Sequence, residues 1–181
     1  MTADLETSVH GTLLRVADTG VLITGPAGSG KSQLALELVR AGHCLVADDL
    51  VILRRHADGR LRGRGVETGR GFLLVRGLGV LDVEALFGTG AAIRESPVDL
   101  QLRLWVDHAD QHDDPLRGCR RSRQWLGVAV EELALQASRP GLATLVEVAI
   151  QELRLRCRGH RAEQGLSARL GARLRRDNPC E

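Results

Sequence analysis

Aromatic residues are scarce in this sequence, which has two Trp, two Phe and no Tyr among 181 residues. Proteins that bind single-stranded nucleic acid stack the bases on aromatic side chains, and such a platform is nearly absent here. Acidic and basic residues almost balance at a net charge of +2, so no general attraction to nucleic acid or a membrane surface is expected. No apolar run approaches the roughly 18 residues of a membrane span. We therefore expect no nucleic-acid partner and no membrane association.

Cysteines are few and widely spaced. Cys44, Cys119, Cys157 and Cys180 form no C-x-x-C pair, so neither a zinc site nor a disulfide framework is indicated. The chain also begins without a recognisable signal peptide. We expect reduced thiols and a soluble, cytoplasmic protein.

Lysine is almost absent, because 24 of the 25 basic residues are Arg and Lys31 is the single Lys. Lys31 lies in residues 25–32, which have the pattern G-x-x-x-x-G-K-S. Residues 21–24 before this segment are apolar or β-branched and predict a short buried strand, and residues 33–40 after it predict a helix. Strand, glycine loop and helix are the context that a Walker A motif requires. A phosphate cradle also favours a compact ammonium over a planar guanidinium.

The segment 25–32 therefore predicts a nucleotide phosphate site. Its glycines let backbone N–H groups wrap around a polyphosphate, and the helix N-terminus adds a partial positive charge. In such a loop Lys31 reaches the β- and γ-phosphates, and the Ser32 hydroxyl binds Mg²⁺. The alternative is a glycine-rich turn that binds nothing. The predicted ATP-binding residues are Gly25, Pro26, Ala27, Gly28, Ser29, Gly30, Lys31 and Ser32.

An acidic pair, Asp48 and Asp49, follows the next predicted strand at residues 43–47. Enzymes that transfer phosphoryl groups need a carboxylate near this position, to order Mg²⁺ water or to take a proton from an attacking hydroxyl. In extended backbone two adjacent carboxylates point to opposite sides, so one would face the phosphates and the other would support it. The alternative is an Asp-Asp turn without a chemical role.

The remaining pattern predicts many strands and few helices. Residues 98–106 alternate with period two, which predicts a half-exposed strand. Residues 107–123 predict a long exposed loop, residues 126–135 a strand or helix, and residues 142–158 an amphipathic helix. Further short strands are expected over residues 9–16, 21–24, 43–47, 50–53 and 72–75.

His10 lies in the first predicted strand, residues 9–16. This strand is expected to pair with residues 21–24, and His10 reaches the glycine loop only if the pairing brings that strand end there. A single His is otherwise more often a surface or capping residue.

The domain organisation follows from these patterns. We expect a flexible leader over residues 1–8, one P-loop domain after it and a basic tail over residues 166–181. The interleaved strands and helices predict an α/β fold, a P-loop nucleotide-binding domain with a mixed, β-rich sheet.

Taken together, these segments resemble the C-terminal catalytic domain of the bacterial HPr kinase/phosphorylase family. The resemblance extends over roughly residues 9–165, and it implies that these residues form a P-loop kinase domain. The P-loop, the acidic pair and an Arg-Gly-Leu-Gly run are more specific together than the P-loop alone. The matching stretches are residues 10–11, 25–32, 45–49, 75–79, 86–90, 139–141 and 147–149.

The resemblance implies a serine kinase that uses ATP and Mg²⁺ to phosphorylate the HPr-type phosphocarrier protein of the sugar phosphotransferase system. It also implies the reverse reaction by phosphorolysis, and a homo-oligomer, a hexamer in this family. The implied catalytic residues are Asp49 as proton acceptor with Asp48 beside it, and His10 and Lys31. Two alternatives remain open: an ATP-binding regulatory module with little or no phosphotransfer, and a small-molecule kinase.

Three departures from the family pattern bear on the chemistry. Leu74 occupies the position of a Glu that holds the metal, so Ser32, the acidic pair or another carboxylate such as Glu67 must compensate. Pro115 stands where a catalytic Arg is expected, and Arg117 is the nearest substitute. An Arg-Asn pair that usually follows residues 139–141 is deleted, which makes phosphorylase activity the less expected of the two activities.

Overall fold

The described residues of this computed structural model, 5–106 and 118–177, form twelve strands and four α-helices. The strands are β1 (Glu6–His10), β2 (Thr12–Val16), β3 (Thr19–Thr24), β4 (Cys44–Ala47), β5 (Leu50–Arg55), β6 (Leu61–Arg64), β7 (Phe72–Val75), β8 (Gly79–Asp82), β9 (Glu95–Pro97), β10 (Leu100–Trp105), β11 (Arg120–Trp125) and β12 (Val128–Gln136). The helices are α1 (Lys31–Arg40), α2 (Val83–Phe87), α3 (Leu142–Cys157) and α4 (Ala162–Asp177), and a short 3-10 turn covers Glu67–Gly69.

The strands build two main sheets and a hairpin. The larger sheet has six strands in the order β11-β12-β10-β3-β2-β4, with β12, β10 and β3 parallel and the outer pairs antiparallel. A second, antiparallel sheet has the order β1-β5-β6-β9, and β7 pairs with β8. The predicted α/β fold with a mixed, β-rich sheet is therefore confirmed.

The core is aliphatic and lies on both faces of the six-stranded sheet. On one face, Val21 and Ile23 of β3 belong to a buried cluster with residues of α1 and α3. On the other face, Leu22 packs in a cluster with residues of β5 and β6. Strand β3, buried on both sides, therefore anchors the loop that follows it.

The single strand predicted over residues 9–16 is wrong, because β1 and β2 belong to different sheets. Gly11 separates them, and a Cβ at this position would lie 2.6 Å from the carbonyl oxygen of Ile23. The chain passes close to β3 here, and His10 then pairs with Leu50 of β5. Strand β1 begins at Glu6, so residues 6–8 of the expected flexible leader form part of a paired strand.

Strand β10 was expected to be half-exposed, and this too is wrong, because it lies between β3 and β12. Two polar members of its alternation, Gln101 and Arg103, bond to other side chains. Gln101 is 4% exposed, donates to Thr24 Oγ1 at 3.0 Å and accepts from Trp125 Nε1 at 2.8 Å. Arg103 forms an ion pair with Glu132.

The exposed loop expected over residues 107–123 is partly wrong. Residues 107–117 lie outside the described part of the chain, but β11 begins at Arg120 and pairs with β12. Arg120 bonds to Glu131 and to Glu152 of α3, so its charge is satisfied within the fold. The predicted helix over 142–158 is confirmed as α3, and α4 begins four residues before the expected tail at residue 166.

Gly20 of β3 provides a test of this packing. A Cβ at Gly20 would lie 1.5 Å from the carbonyl oxygen of Pro97, and the Gly20 N–H is fixed by Asp99 Oδ2 at 2.8 Å. We expect Gly20→Ala to lower the free energy of unfolding by about 3 kcal/mol or more in urea denaturation. The control is Gly165→Ala in α4, where a Cβ meets no atom within 4 Å and no loss is expected. Equal stability of the two variants would contradict the prediction.

Candidate active site

A cavity of about 580 Å³ opens beside the glycine loop, near the ends of β1 and β4. Its lining includes the four predicted catalytic residues, His10, Lys31, Asp48 and Asp49, and Arg76 of the β7–β8 turn. The fold thus brings together all four side chains that were predicted to be catalytic. Their chemical roles stay predictions.

The glycine loop turns sharply between β3 and α1. Gly25, Gly28 and Gly30 have φ angles of 152°, 78° and 87°, which disfavour any residue with a side chain. A Cβ at Gly25 would also lie 2.7 Å from the carbonyl oxygen of Leu104. The loop delivers the first residues of α1 to the cavity wall, so the positive end of the helix dipole faces the cavity.

Lys31 is held by the loop itself. Its ammonium, on a residue only 8% exposed, donates to the carbonyl oxygens of Gly25 at 3.1 Å and Pro26 at 3.0 Å. No carboxylate of the described residues lies within ion-pair distance of it. The positive charge is therefore oriented but not neutralised, as a phosphate-binding cation requires.

Three of the eight predicted ATP-binding residues, Gly25, Pro26 and Ser29, do not line the cavity. Ser29 is held inside the loop. It is 5% exposed, and its hydroxyl has no hydrogen-bond partner among the described residues. Its position beside Gly25 gives it a place in the closed loop rather than at the cavity wall. Ala27, Gly28, Gly30 and Ser32 do line the cavity.

The Asp48 carboxylate faces the start of α1. The Ser32 hydroxyl lies 3.2 Å from Oδ1 and 3.1 Å from Oδ2 of Asp48. Two further donors hold this carboxylate, the Thr12 hydroxyl at 2.7 Å and the Leu74 backbone N–H at 3.3 Å. A serine hydroxyl beside a carboxylate is a pair of hard oxygen donors, which suits a cation such as Mg²⁺.

Asp49 is placed differently from Asp48. Its φ of 71° is left-handed, a conformation that Asp tolerates better than most residues. Its side chain is 80% exposed, and its Oδ1 lies 3.2 Å from His10 Nδ1. The backbone is therefore not extended at Asp49, so the condition for opposite-facing carboxylates is not met and both residues line one cavity.

The structure describes one of the positions that depart from the family pattern, Leu74, and the substitute Glu67 named with it. The Leu74 side chain is 63% exposed at the cavity, but its backbone N–H still contacts Asp48. Glu67, the other carboxylate named as a substitute, pairs with Arg70 at 3.5 Å and does not line the cavity. Pro115 and Arg117 lie outside the described residues.

Two residues at the site were missed as candidates from sequence. Arg76 could have been found, because the glycines that follow it indicate a backbone that approaches something closely. Thr12 could not, because its contact with Asp48 joins residues 36 positions apart, one in β2 and the other just after β4.

In the described part of the chain, no group of three or more His, Cys, Asp and Glu side chains could hold a metal ion alone. Mg²⁺ is commonly held by one or two carboxylates together with substrate phosphates. A buried strand, a glycine loop on a helix N-terminus, and an acid hydrogen-bonded to the loop serine define the class of P-loop nucleotide-binding domains. None of the described helices has the length and apolarity needed to span a bilayer.

Comparison with known proteins narrows the class to a family. The sequence matches the model of the HPr Serine kinase C-terminal domain over residues 3–170. HPr kinase/phosphorylase of Caldicellulosiruptor bescii is 39% identical over 181 residues, covering 95% of this chain and 56% of that protein. The Geobacillus thermodenitrificans protein of that name is 40% identical over 166 residues, covering 91% and 53%.

A solved structure supports the same assignment. The HPr(Ser) kinase/phosphatase from Coxiella burnetii superimposes with a TM-score of 0.78 at 32% identity, covering 84% of this chain and 99% of that one. This chain belongs to the HPr serine kinase C-terminal domain family. It spans about half the length of the curated relatives that it matches.

Proposed function

We propose that this chain is an ATP- and Mg²⁺-dependent protein-serine kinase that acts on an HPr-type phosphocarrier protein of the sugar phosphotransferase system. The observation that carries the proposal is the cavity itself, which is lined by Lys31, Ser32, Asp48 and Asp49 together. Phosphoryl transfer needs little covalent chemistry from the protein and depends on holding phosphate, cation and base in place. The names of the relatives support kinase and phosphorylase activities.

The nucleotide would occupy the glycine loop. Lys31 would exchange its contacts with the Gly25 and Pro26 carbonyls for the β- and γ-phosphates. Ser32 and Asp48 would hold Mg²⁺, since their oxygens already lie within hydrogen-bond distance of each other. When bound, Mg²⁺ neutralises charge that develops on the phosphoryl oxygens.

Asp49 would accept the proton of the substrate serine. Asp48 is already contacted by three protein donors, whereas Asp49 is exposed and pairs only with His10 among the described residues. An exposed base can be reached by a hydroxyl on the surface of another protein. His10 would keep the Asp49 carboxylate turned toward the cavity.

The surface around the cavity favours a protein over a metabolite as substrate. Leu74, Leu78 and Val80 of the β7–β8 hairpin are each more than 60% exposed, and Leu74 lines the cavity. Exposed apolar side chains grouped in this way are typical of protein-binding surfaces. Membership of the HPr serine kinase family further supports a cytoplasmic location and a homo-oligomeric, hexameric assembly as the active form.

The proposal is tested by incubating the purified chain with labelled ATP, Mg²⁺ and the phosphocarrier of the same organism. We expect label on one serine of the phosphocarrier and none on a variant with that serine changed to Ala. A longer relative with known activity serves as the positive control. Absence of transfer under conditions where the relative is active would contradict the proposal, and a labelled metabolite would favour the small-molecule kinase.

A further inference from the structure

Thr12 holds the Asp48 carboxylate from the side of the sheet. It is 0% exposed on β2, and its hydroxyl donates to Asp48 Oδ1 at 2.7 Å, the shortest of the hydrogen bonds to this carboxylate. The next two residues of β2, Leu13 and Leu14, are fully buried hydrophobic residues. A hydroxyl in such a strand is costly unless it is hydrogen-bonded.

The Thr12 hydroxyl is not needed for the packing of β2. Val has the same branched outline as Thr and the same preference for strands, so packing alone would be met equally well by Val. What Thr adds is one donor, and that donor is aimed at Asp48. The residue at this position therefore serves the carboxylate rather than the core.

The three donors contact different oxygens of the Asp48 carboxylate. Thr12 bonds to Oδ1, the Leu74 N–H bonds to Oδ2, and Ser32 approaches both oxygens. The Leu74 contact is long at 3.3 Å and comes from a partly exposed hairpin. Thr12 is consequently the rigid member of the set, since it is buried in the six-stranded sheet.

We propose that Thr12 is a positioning residue that keeps Asp48 turned toward Ser32, so that the two can hold a divalent cation with the nucleotide. The inference rests on the proposed function. A hydroxyl that binds a cation through its oxygen keeps its proton, and Ser32 would continue to donate to Asp48. Without Thr12, the Asp48 side chain could rotate away from the cation site.

The test is a pair of variants, Thr12→Val and Thr12→Ser, in the full chain. Binding of a fluorescent ATP analogue is followed while MgCl₂ is titrated. We expect Thr12→Val to raise the Mg²⁺ concentration at half-saturation by about tenfold, as for a lost hydrogen bond to a charged group. Binding of the analogue without Mg²⁺ should stay within about twofold, and Thr12→Ser should titrate like the wild type.

Several outcomes would overturn the inference. These are a wild-type Mg²⁺ titration for Thr12→Val, an equal loss of binding with and without Mg²⁺, or a Thr12→Ser variant that behaves like Thr12→Val. If Thr12→Val melts far below the wild type, Thr12→Ala is used, because it removes the hydroxyl and adds no atoms. Mg²⁺-dependent binding without transfer to the phosphocarrier would contradict the proposed function alone, whereas a wild type without Mg²⁺-dependent binding would overturn both.

Discussion

Replacement of Lys31 by Arg, which keeps the positive charge, is expected to reduce phosphoryl transfer by at least about 100-fold. The ammonium is buried and seated on two loop carbonyls at 3.1 and 3.0 Å. A guanidinium is larger and planar, and its donors have a fixed forked geometry. It cannot occupy the position of the ammonium between these carbonyls unless the loop moves. We also expect weaker binding of a fluorescent ATP analogue, because the loop would no longer close around the phosphates.

The opposite exchange at the other end of the same helix is the matched control. Arg40 is the exposed last residue of α1, and Arg40→Lys should leave transfer and nucleotide binding within about twofold, as exposed charges contribute little. Melting temperatures of both variants separate a local effect from unfolding. A Lys31→Arg enzyme with more than a third of the wild-type rate would show that charge alone, rather than the shape of the cation, is what the loop requires.

The glycine loop was predictable from sequence because its determinants are local. Positive φ angles at Gly28 and Gly30, a buried strand before the loop and a helix after it all lie within about twenty residues. The acidic pair was predictable for the same reason, since it directly follows β4. Each of these features can be recognised from residue type and spacing without knowledge of what packs against it.

The features that sequence did not predict depend on distant partners. The division of residues 9–16 into two strands follows from the carbonyl of Ile23 above Gly11. Strand β10 is buried because it lies between β3 and β12, where Thr24 and Trp125 bond to Gln101. A polar residue that is bonded by a neighbouring strand has the same periodic pattern as one that faces water, so alternation alone cannot separate the two cases.

The geometry of the acidic pair was missed for a related reason. Adjacent residues point apart only in extended backbone, and Asp49 is left-handed. Its carbonyl accepts from the Gly11 N–H at 3.0 Å, a contact that exists only because β1 and β2 separate at Gly11. The interruption between β1 and β2 at Gly11 therefore positions His10 and also orients Asp49 toward the cavity.

Replacement of Asp49 by Asn is expected to reduce transfer to the phosphocarrier by about 100- to 10,000-fold, the range of a lost general base. Asn has nearly the same shape but cannot take up the serine proton. Nucleotide binding should stay within about twofold, because the Asp49 carboxylate is 80% exposed and contacts His10 rather than the glycine loop. Initial rates with labelled ATP and binding of the fluorescent analogue measure the two effects separately.

Asp48→Asn is the matched comparison, because the change is the same one residue earlier. The Asp48 carboxylate accepts hydrogen bonds from Thr12, Ser32 and Leu74. An amide at this position would instead point its own N–H at one of these three donors. We therefore expect Asp48→Asn to weaken the Mg²⁺ dependence of nucleotide binding, which Asp49→Asn should leave unchanged. The two acids would then have separate roles, a cation holder and a base. Phosphoryl transfer that survives Asp49→Asn would refute this division of roles. Negligible transfer by the wild type together with tight ATP binding would favour the ATP-binding regulatory module, since a protein that only senses ATP has no need of a base.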